Sequence, residues 1–224
     1  MYRVTDVVKH LLILNIGLFI ATIFFMGEPG GSTMNRLVGG QLTDFSHWGR
    51  FQLAMFYPTS DYFRPYQIIT HMFMHGGIGH LFFNMFALFM FGPPLEILWG
   101  PKRFLFYYFF CGFGALFLHL FVKYLEMTYF GGPVWELNIP MLGASGAIFG
   151  LLLGFGMKFP ETRLMLLIPP IPIKAKYFVL FIAALELFLG VSRMSSGIAH
   201  FAHLGGALFG LFMILYWSKY GSKL

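Results

Sequence analysis

Residues 104–125 read FLFYYFFCGFGALFLHLFVKYL, an aromatic and aliphatic stretch with one charged side chain, Lys123. A helix that crosses a bilayer needs about 20 mostly apolar residues, and this stretch reaches that length without a break. In the whole chain of 224 residues, 58% are hydrophobic and 11% are charged, whereas about a quarter of the residues of a soluble domain are charged. The stretch predicts a spanning helix, and the composition predicts an integral membrane protein embedded in the lipid bilayer.

Similar apolar stretches recur along the chain and predict an all-α membrane protein, a single domain over residues 1–224. The six predicted spans are residues 7–26, 77–91, 104–125, 144–159, 177–191 and 201–217. An even number of spans places both termini on one side of the membrane, and Lys and Arg are enriched in cytoplasmic loops. The side of the termini would carry Arg3, Lys9, Lys102, Arg103, Lys158, Arg163, Lys174, Lys176, Lys219 and Lys223, against Arg36, Arg50, Arg64, Lys123 and Arg193 on the other. We therefore expect cytoplasmic termini.

Charge and cysteine content exclude several classes of function. The net charge is +6, but the basic residues are dispersed and no stacking module accompanies them, so no nucleic-acid partner is expected. The single cysteine, Cys111, excludes a disulfide within the chain.

The first apolar stretch is followed by no A-x-A-like cleavage site, so we interpret it as a retained span. A bare six-span core without an organelle presequence favours a bacterial inner membrane.

Two connecting segments have unusual compositions. The first external loop, residues 27–70, carries aromatic side chains among polar ones, including Trp48, Phe56 and Tyr62, and aromatic rings are stable at a membrane interface. We expect a structured loop rather than a flexible linker. The predicted cytoplasmic link KFPETRLMLLIPPIPIKAK, residues 158–176, is rich in proline, which favours an extended course along the surface.

Polar residues inside the spans are the informative ones, because they are costly in lipid. They concentrate in HMFMHGGIGHLFFN (71–84), GASG (143–146) and AHFAHLGG (199–206). With cytoplasmic termini, all three segments lie toward the external face. Ser145, His203, His80 and Asn84 can therefore converge on one site, and the i, i+4 spacing of His80 and Asn84 puts both on one face of a helix.

Each of these features also has a plain structural explanation. A serine in a helix is often hydrogen-bonded to its own backbone, and a lone histidine in a span often bonds to a neighbouring helix. Small residues at four-residue intervals, which let helices approach closely, occur at Gly146, Gly150 and Gly154 and again at Gly206 and Gly210. Such an approach is what a hydrogen bond between serine and histidine requires.

Other ways of cutting a peptide bond in a membrane lack their residues here. A zinc protease of the H-E-x-x-H type needs a His-Glu pair, and none occurs. An aspartyl mechanism needs two carboxylates that share a proton, but Asp6, Asp44 and Asp61 lie outside the apolar cores of the spans. The histidines alone could bind a metal ion, but no carboxylate or second cysteine joins them in their segments. We expect neither a metal nor another cofactor.

At residues 62–217 the sequence resembles the rhomboid family of intramembrane serine proteases. The segment G-A-S-G at 143–146 is similar to the nucleophile motif G-x-S-G, and A-H-L-G-G-A-L-F-G at 202–210 to the base motif A-H-x-x-G-x-x-x-G. The segment H-L-F-F-N at 80–84 is similar to the oxyanion motif H-x-x-x-N. All three occur in the family's order.

The resemblance implies a serine endopeptidase that cuts the transmembrane segments of membrane-protein substrates. Ser145 would be the nucleophile and His203 the general base, a dyad without a third carboxylate. His80, Asn84 and the N–H at the serine would stabilise the oxyanion. Residues that would support the site or the fold are Gly143, His75, His200, Glu96 and Gly100. Phe63-Arg64 stands where many members have Trp-Arg, and the fifth span with the following VSRMSSGI would form the gate and cap.

Two rival functions remain open. One is an inactive rhomboid-like protein that binds membrane clients, although such relatives typically lack the serine or the histidine. The other is a transporter that uses its histidines as a proton relay or metal path, in which His71 and His75 would matter more than Ser145. Glu186, a carboxylate inside the fifth span, has no role in any of these hypotheses. The sequence predicts neither the oligomeric state nor the natural substrate.

Overall fold

The computed structural model describes residues 4–27, 31–41, 49–165, 170–192 and 200–220. Within these residues the chain is mainly helical, which confirms the predicted all-α membrane fold. The α-helices are α1 (Asp6–Met26), α2 (Gly31–Val38), α3 (Gln67–Thr70), α4 (Ile78–Trp99), α5 (Pro101–Tyr129), α6 (Ser145–Lys158), α7 (Ala175–Ser192) and α8 (His200–Tyr220). Short 3-10 helices cover Gly49–Leu53, His71–Phe73 and Val134–Asn138.

Five of the described helices, α1, α4, α5, α7 and α8, are long and apolar enough to cross a membrane. The fourth predicted span is different, because α6 has only 14 residues. At 1.5 Å per residue such a helix is about 21 Å long, shorter than a hydrocarbon core of about 30 Å. At least one end of α6 must therefore lie within the depth of the apolar layer if the helix stands among the spanning helices.

The chain divides into two compact units. The first unit contains Met1–Val8, Ala87–His119 and Ser145–Leu224, and the second contains Lys9–Phe86 and Leu120–Ala144. The sequence-based assignment of a single domain stays a prediction.

Close helix packing in the first unit depends on the glycines of the two predicted stripes. A methyl group added to Gly206 of α8 would overlap the carbonyl of Gly146 in α6, and one added to Gly150 would overlap Cys111 of α5. The Tyr107 hydroxyl donates a hydrogen bond of 2.8 Å to the Gly150 carbonyl. These contacts bring the start of α6 against the start of α8, where the candidate site lies.

Glu96 stabilises the first helix within the same unit. Its buried carboxylate accepts hydrogen bonds of 3.0 Å from the N–H groups of Val7 and Val8, which have no acceptor inside α1 because they lie in its first turn. A negative charge at this end also interacts favourably with the helix dipole. Gly100 ends α4 with a φ of 79°, a left-handed conformation that favours glycine.

The proline-rich link at residues 158–176 contains an antiparallel pair of short strands, β1 (Arg163–Met165) and β2 (Pro172–Lys174). The described part of the link is therefore extended as predicted, and residues 166–169 lie outside the described residues. Lys174 and Lys176 contact the exposed carboxylate of Glu161. Hydrogen bonds from Lys174 and then Lys176 lower the pKa of Glu161 to about 2.

The first external loop is structured where it is described, in the second unit. Leu37 of α2 packs with Phe51, Phe56 and Tyr62 in a buried cluster, and Phe63 joins its edge. Met55 and Met141 exchange two backbone hydrogen bonds of 2.8 Å. Phe63, which stands in place of the family's tryptophan, is therefore part of this packing. Trp48 and the rest of 42–48 lie outside the described residues.

Candidate active site

Ser145 and His203, which the sequence predicted would meet, lie in contact in the first unit. Ser145 is the first residue of α6, and His203 is in the first turn of α8. The serine Oγ lies 2.9 Å from His203 Nε2. A hydroxyl that donates to this nitrogen requires it to be unprotonated, so the neutral ring would carry its proton on Nδ1. This is the arrangement in which an imidazole can take a proton from a hydroxyl.

The backbone before Ser145 is shaped by Gly143. Its φ of 130° lies in the region that favours glycine, and its N–H donates a hydrogen bond of 2.9 Å to the His71 carbonyl within the second unit. Helix α6 starts two residues later. Because Ser145 is the first residue of that helix, its N–H has no acceptor inside the helix and can donate to a developing negative charge.

The imidazole plane of His203 is set by an aromatic contact. The ring of Phe149, one helical turn after Ser145, stacks on it with a centroid distance of 4.2 Å and an interplanar angle of 2°. Phe149 also lines an apolar cleft among α6, α7 and α8, together with Leu153, Phe178, Ile182 and Ala207. His203 is therefore held beside an apolar surface within the first unit.

Glu186 is the residue that sequence reasoning missed. Its Oε2 lies 2.7 Å from Nδ1 of His200, in a hydrogen bond, and 3.0 Å from Nδ1 of His203. Within the described residues, His203 Nδ1 makes no directed hydrogen bond, so this second contact is a close approach that becomes an ion pair only when the ring is protonated. The resemblance implies a dyad without a third carboxylate, and Glu186 is the carboxylate that lies beside it. The available signal was a single carboxylate inside the apolar helix AKYFVLFIAALELFLGVS.

The same three side chains have the composition of a metal site. The ligand atoms that Glu186, His200 and His203 offer all lie within 4.8 Å of one another. The carboxylate that the sequence could not place beside the histidines therefore comes from α7. The direct contacts of 2.7 and 3.0 Å also account for the cluster as a hydrogen-bonded and charge-paired group without an ion.

His80 and Asn84 lie on α4 in the second unit. The Asn84 side chain donates a hydrogen bond of 3.0 Å to the His80 carbonyl, and His80 Nδ1 accepts one of 3.2 Å from the N–H of Gly76. The two residues share a helix face, as their spacing predicted. An asparagine amide has two N–H donors, so one donor of Asn84 is available beyond this bond.

His71 and His75, also in the second unit, are buried. His71 Nδ1 lies 2.8 Å from the Gln67 carbonyl, and the ring of His75 packs edge-to-face with His80 at 5.2 Å. Burial lowers the pKa of each to about 4, and the neighbouring His80 contributes to the lowering at His75. Both rings are therefore neutral at physiological pH.

Comparison with known proteins places these residues in one family. A model of the rhomboid domain matches residues 62–220. The chain is 33% identical over 154 residues to rhomboid protein 1, mitochondrial, of Saccharomyces cerevisiae, a match that covers 68% of this chain and 42% of the relative. It is 33% identical over 150 residues to presenilin-associated rhomboid-like protein A, mitochondrial, of Danio rerio, covering 66% and 37%.

A third relative is matched over more of its length. Rhomboid protease AarA of Providencia stuartii is 28% identical over 215 residues, covering 89% of this chain and 68% of the relative. The match with the two mitochondrial relatives spans only about two fifths of their length. The domain match alone covers more than half of the chain, so the protein belongs to the rhomboid family.

Proposed function

We propose that this protein is an intramembrane serine endopeptidase that cleaves transmembrane segments of other membrane proteins. The observation that carries the proposal is the 2.9 Å contact between Ser145 Oγ and His203 Nε2. A serine hydroxyl is a weak nucleophile until an adjacent base takes its proton. Membership of the rhomboid family supports the same activity.

In the proposed reaction, Ser145 Oγ attacks the carbonyl carbon of the scissile bond while its proton passes to His203 Nε2. The tetrahedral intermediate collapses, the C–N bond breaks, and His203 gives the proton to the departing amine. Water then attacks the acyl-enzyme, His203 takes a proton from it, and that proton returns to Ser145 Oγ as the acid product leaves. Net, one water is consumed and one peptide bond is cut.

The intermediate carries a negative oxygen that needs hydrogen-bond donors. We assign this role to the N–H of Ser145, at the start of α6, and to the side chains of His80 and Asn84. The helix position of Ser145 supports the first assignment. The other two rest on the family motif, and we assign Gly143, His75 and His200 to the support of the site on the same ground.

The substrate class follows from where the site would lie. The apolar cleft that Phe149 lines beside His203 suits apolar side chains, and the surrounding helices are long enough to span a bilayer. We propose cytoplasmic termini and an external site from the distribution of Lys and Arg. The mitochondrial relatives do not support the expected bacterial inner membrane over other membranes. Protease protection of a C-terminal tag in intact cells, which cytoplasmic termini predict, tests the orientation.

A histidine relay for transport is less well supported. A relay that works near neutral pH needs groups that change protonation there, whereas burial lowers the pKa of His71 and His75 to about 4. These histidines would therefore stay neutral across the working range.

The test is cleavage of a model transmembrane substrate by purified protein in proteoliposomes. We expect Ser145→Ala to abolish cleavage and covalent labelling by a fluorophosphonate, because it removes the hydroxyl that lies 2.9 Å from His203 Nε2. The matched control is Ser218→Ala, since Ser218 Oγ bonds only to the Leu215 carbonyl of its own helix among the contacts described. Cleavage that persists in Ser145→Ala, or labelling at another residue, would refute the proposal.

A further inference from the structure

Glu186 is a carboxylate for which the proposed reaction has no role. It lies on α7, an otherwise apolar helix apart from Lys176 at its start, and its side chain is only 14% exposed. An ionised carboxylate in such a place is costly unless it is paired. Both of its partners are on α8, and one of them is the proposed base.

We propose that Glu186 is a positioning residue that holds His203 in its working orientation within the proposed dyad of Ser145 and His203; this inference rests on the proposed function. Its charge would favour the tautomer with the proton on Nδ1. It would also stabilise the imidazolium that forms when Ser145 loses its proton.

The two nitrogens of His203 face opposite partners. Nε2 lies 2.9 Å from Ser145 Oγ, and Nδ1 lies 3.0 Å from Glu186 Oε2. A neutral ring that accepts from the serine carries its proton on the nitrogen beside the carboxylate. Once the ring gains the serine proton, a full positive charge lies next to a full negative one. This attraction depends mainly on distance, so it does not require the directed hydrogen bond that Nδ1 lacks within the described residues.

His200 holds the carboxylate of Glu186 in place. Its Nδ1 makes a hydrogen bond of 2.7 Å to the same Oε2 atom, and its side chain is 5% exposed. The oxygen is therefore held from one side by His200 while it contacts His203 on the other. The support role that the family resemblance implies for His200 would therefore be to hold the Glu186 carboxylate in place.

Few other ionisable groups of the first unit face His203. From α6 the facing polar group is Ser145, from α7 it is Glu186, and on α8 itself it is His200. Where α5 packs against the start of α8, beside Gly205, the contacting residues are Gly114, Ala115 and Leu118, none of which titrates. Within the described part of this unit, Glu186 is thus the anionic group that contacts His203.

The experiment measures the rate at which a fluorophosphonate labels Ser145 as a function of pH, in wild type, Glu186→Gln and Glu186→Asp. Loss of the carboxylate charge should slow labelling by about 10- to 100-fold, less than the roughly 10²- to 10⁴-fold that general acid–base catalysis contributes, because the histidine itself is retained. Glu186→Asp should recover part of this loss of rate, and cleavage should lose kcat more than it raises KM.

The matched control is Glu161→Gln, which removes an exposed carboxylate of the same unit far along the chain. Its profile should match that of wild type. A purely structural Glu186 would lower thermal stability without slowing the labelling of the folded protein, and that result in either Glu186 variant that still folds would overturn the inference. Labelling that is lost on chelation and restored by Zn²⁺ would overturn it in favour of a metal site. Because labelling reports on Ser145 alone, failure of substrate cleavage would instead count against the proposed function.

Discussion

The histidines of the two units differ in what their rings contact. In the first unit, His200 and His203 contact a carboxylate, and His203 also contacts a serine. In the second unit, His71 contacts a backbone carbonyl, and His75 packs against another histidine. All four come from segments that look alike in sequence, so residue type and depth do not distinguish a reactive histidine from a buried structural one. The partners do.

Removing one histidine from each unit tests whether the two groups of histidines differ in function. We expect His203→Ala to reduce cleavage by about 10³-fold or more, since it removes the general base, with the fold retained. His71→Asn should keep cleavage within about 10-fold of wild type at pH 7, because an amide can still donate to the Gln67 carbonyl. Initial rates in proteoliposomes measure both. Equal losses in the two variants would show that the two groups do not differ in function.

The buried histidines of the second unit should affect the pH dependence of stability rather than the rate of cleavage. Folding lowers the pKa of His71 from 6.5 to about 4, so the unfolded chain binds the proton more readily than the folded protein. Stability from this residue is complete above about pH 6.5 and is lost as the pH falls toward 4. The loss is up to about 3 kcal/mol for such a shift.

Thermal unfolding in detergent between pH 4 and 7 measures this effect. His71→Asn should lose less stability on acidification than wild type, because the asparagine does not titrate. His10→Asn, which changes an exposed histidine of α1, is the matched control and should lose as much as wild type. The same acid sensitivity in all three proteins would contradict the expected role of burial.

A smaller effect on kcat/KM is expected from a change in the orientation of the His203 ring. Phe149 stacks on His203 with nearly parallel rings, whereas His71 is oriented by a backbone hydrogen bond. We expect Phe149→Leu to reduce kcat/KM by about 2- to 10-fold, as loss of an aromatic contact of about 0.5–1.5 kcal/mol implies. Phe117→Leu, which changes an exposed aromatic side chain of α5, should leave kcat/KM unchanged. A Phe149→Leu enzyme that is indistinguishable from wild type would remove the ring from the site.

Ser145 and His203 both lie near the predicted external ends of apolar spans, so the topology placed them at a similar depth. This is why the sequence predicted their contact. It did not predict Glu186 beside them. A carboxylate in the middle of a span has no defined partner until helix packing is known, and the sequence does not define how the helices that carry residues 186 and 203 pack. The bounds of α6 were predicted to within one residue at each end, 144–159 against Ser145–Lys158.

The position of Glu186 on α7 has one more consequence. Among the helices long and apolar enough to cross a membrane, α7 is the least buried, with 6% of its span buried within the described structure. Its position therefore depends on few contacts. Because Glu186 on this helix lies 3.0 Å from Nδ1 of His203, a displacement of α7 away from α8 would separate the carboxylate from the histidine. By thermodynamic linkage, a ligand that binds better when Glu186 contacts His203 would hold α7 against α8 by the same free energy.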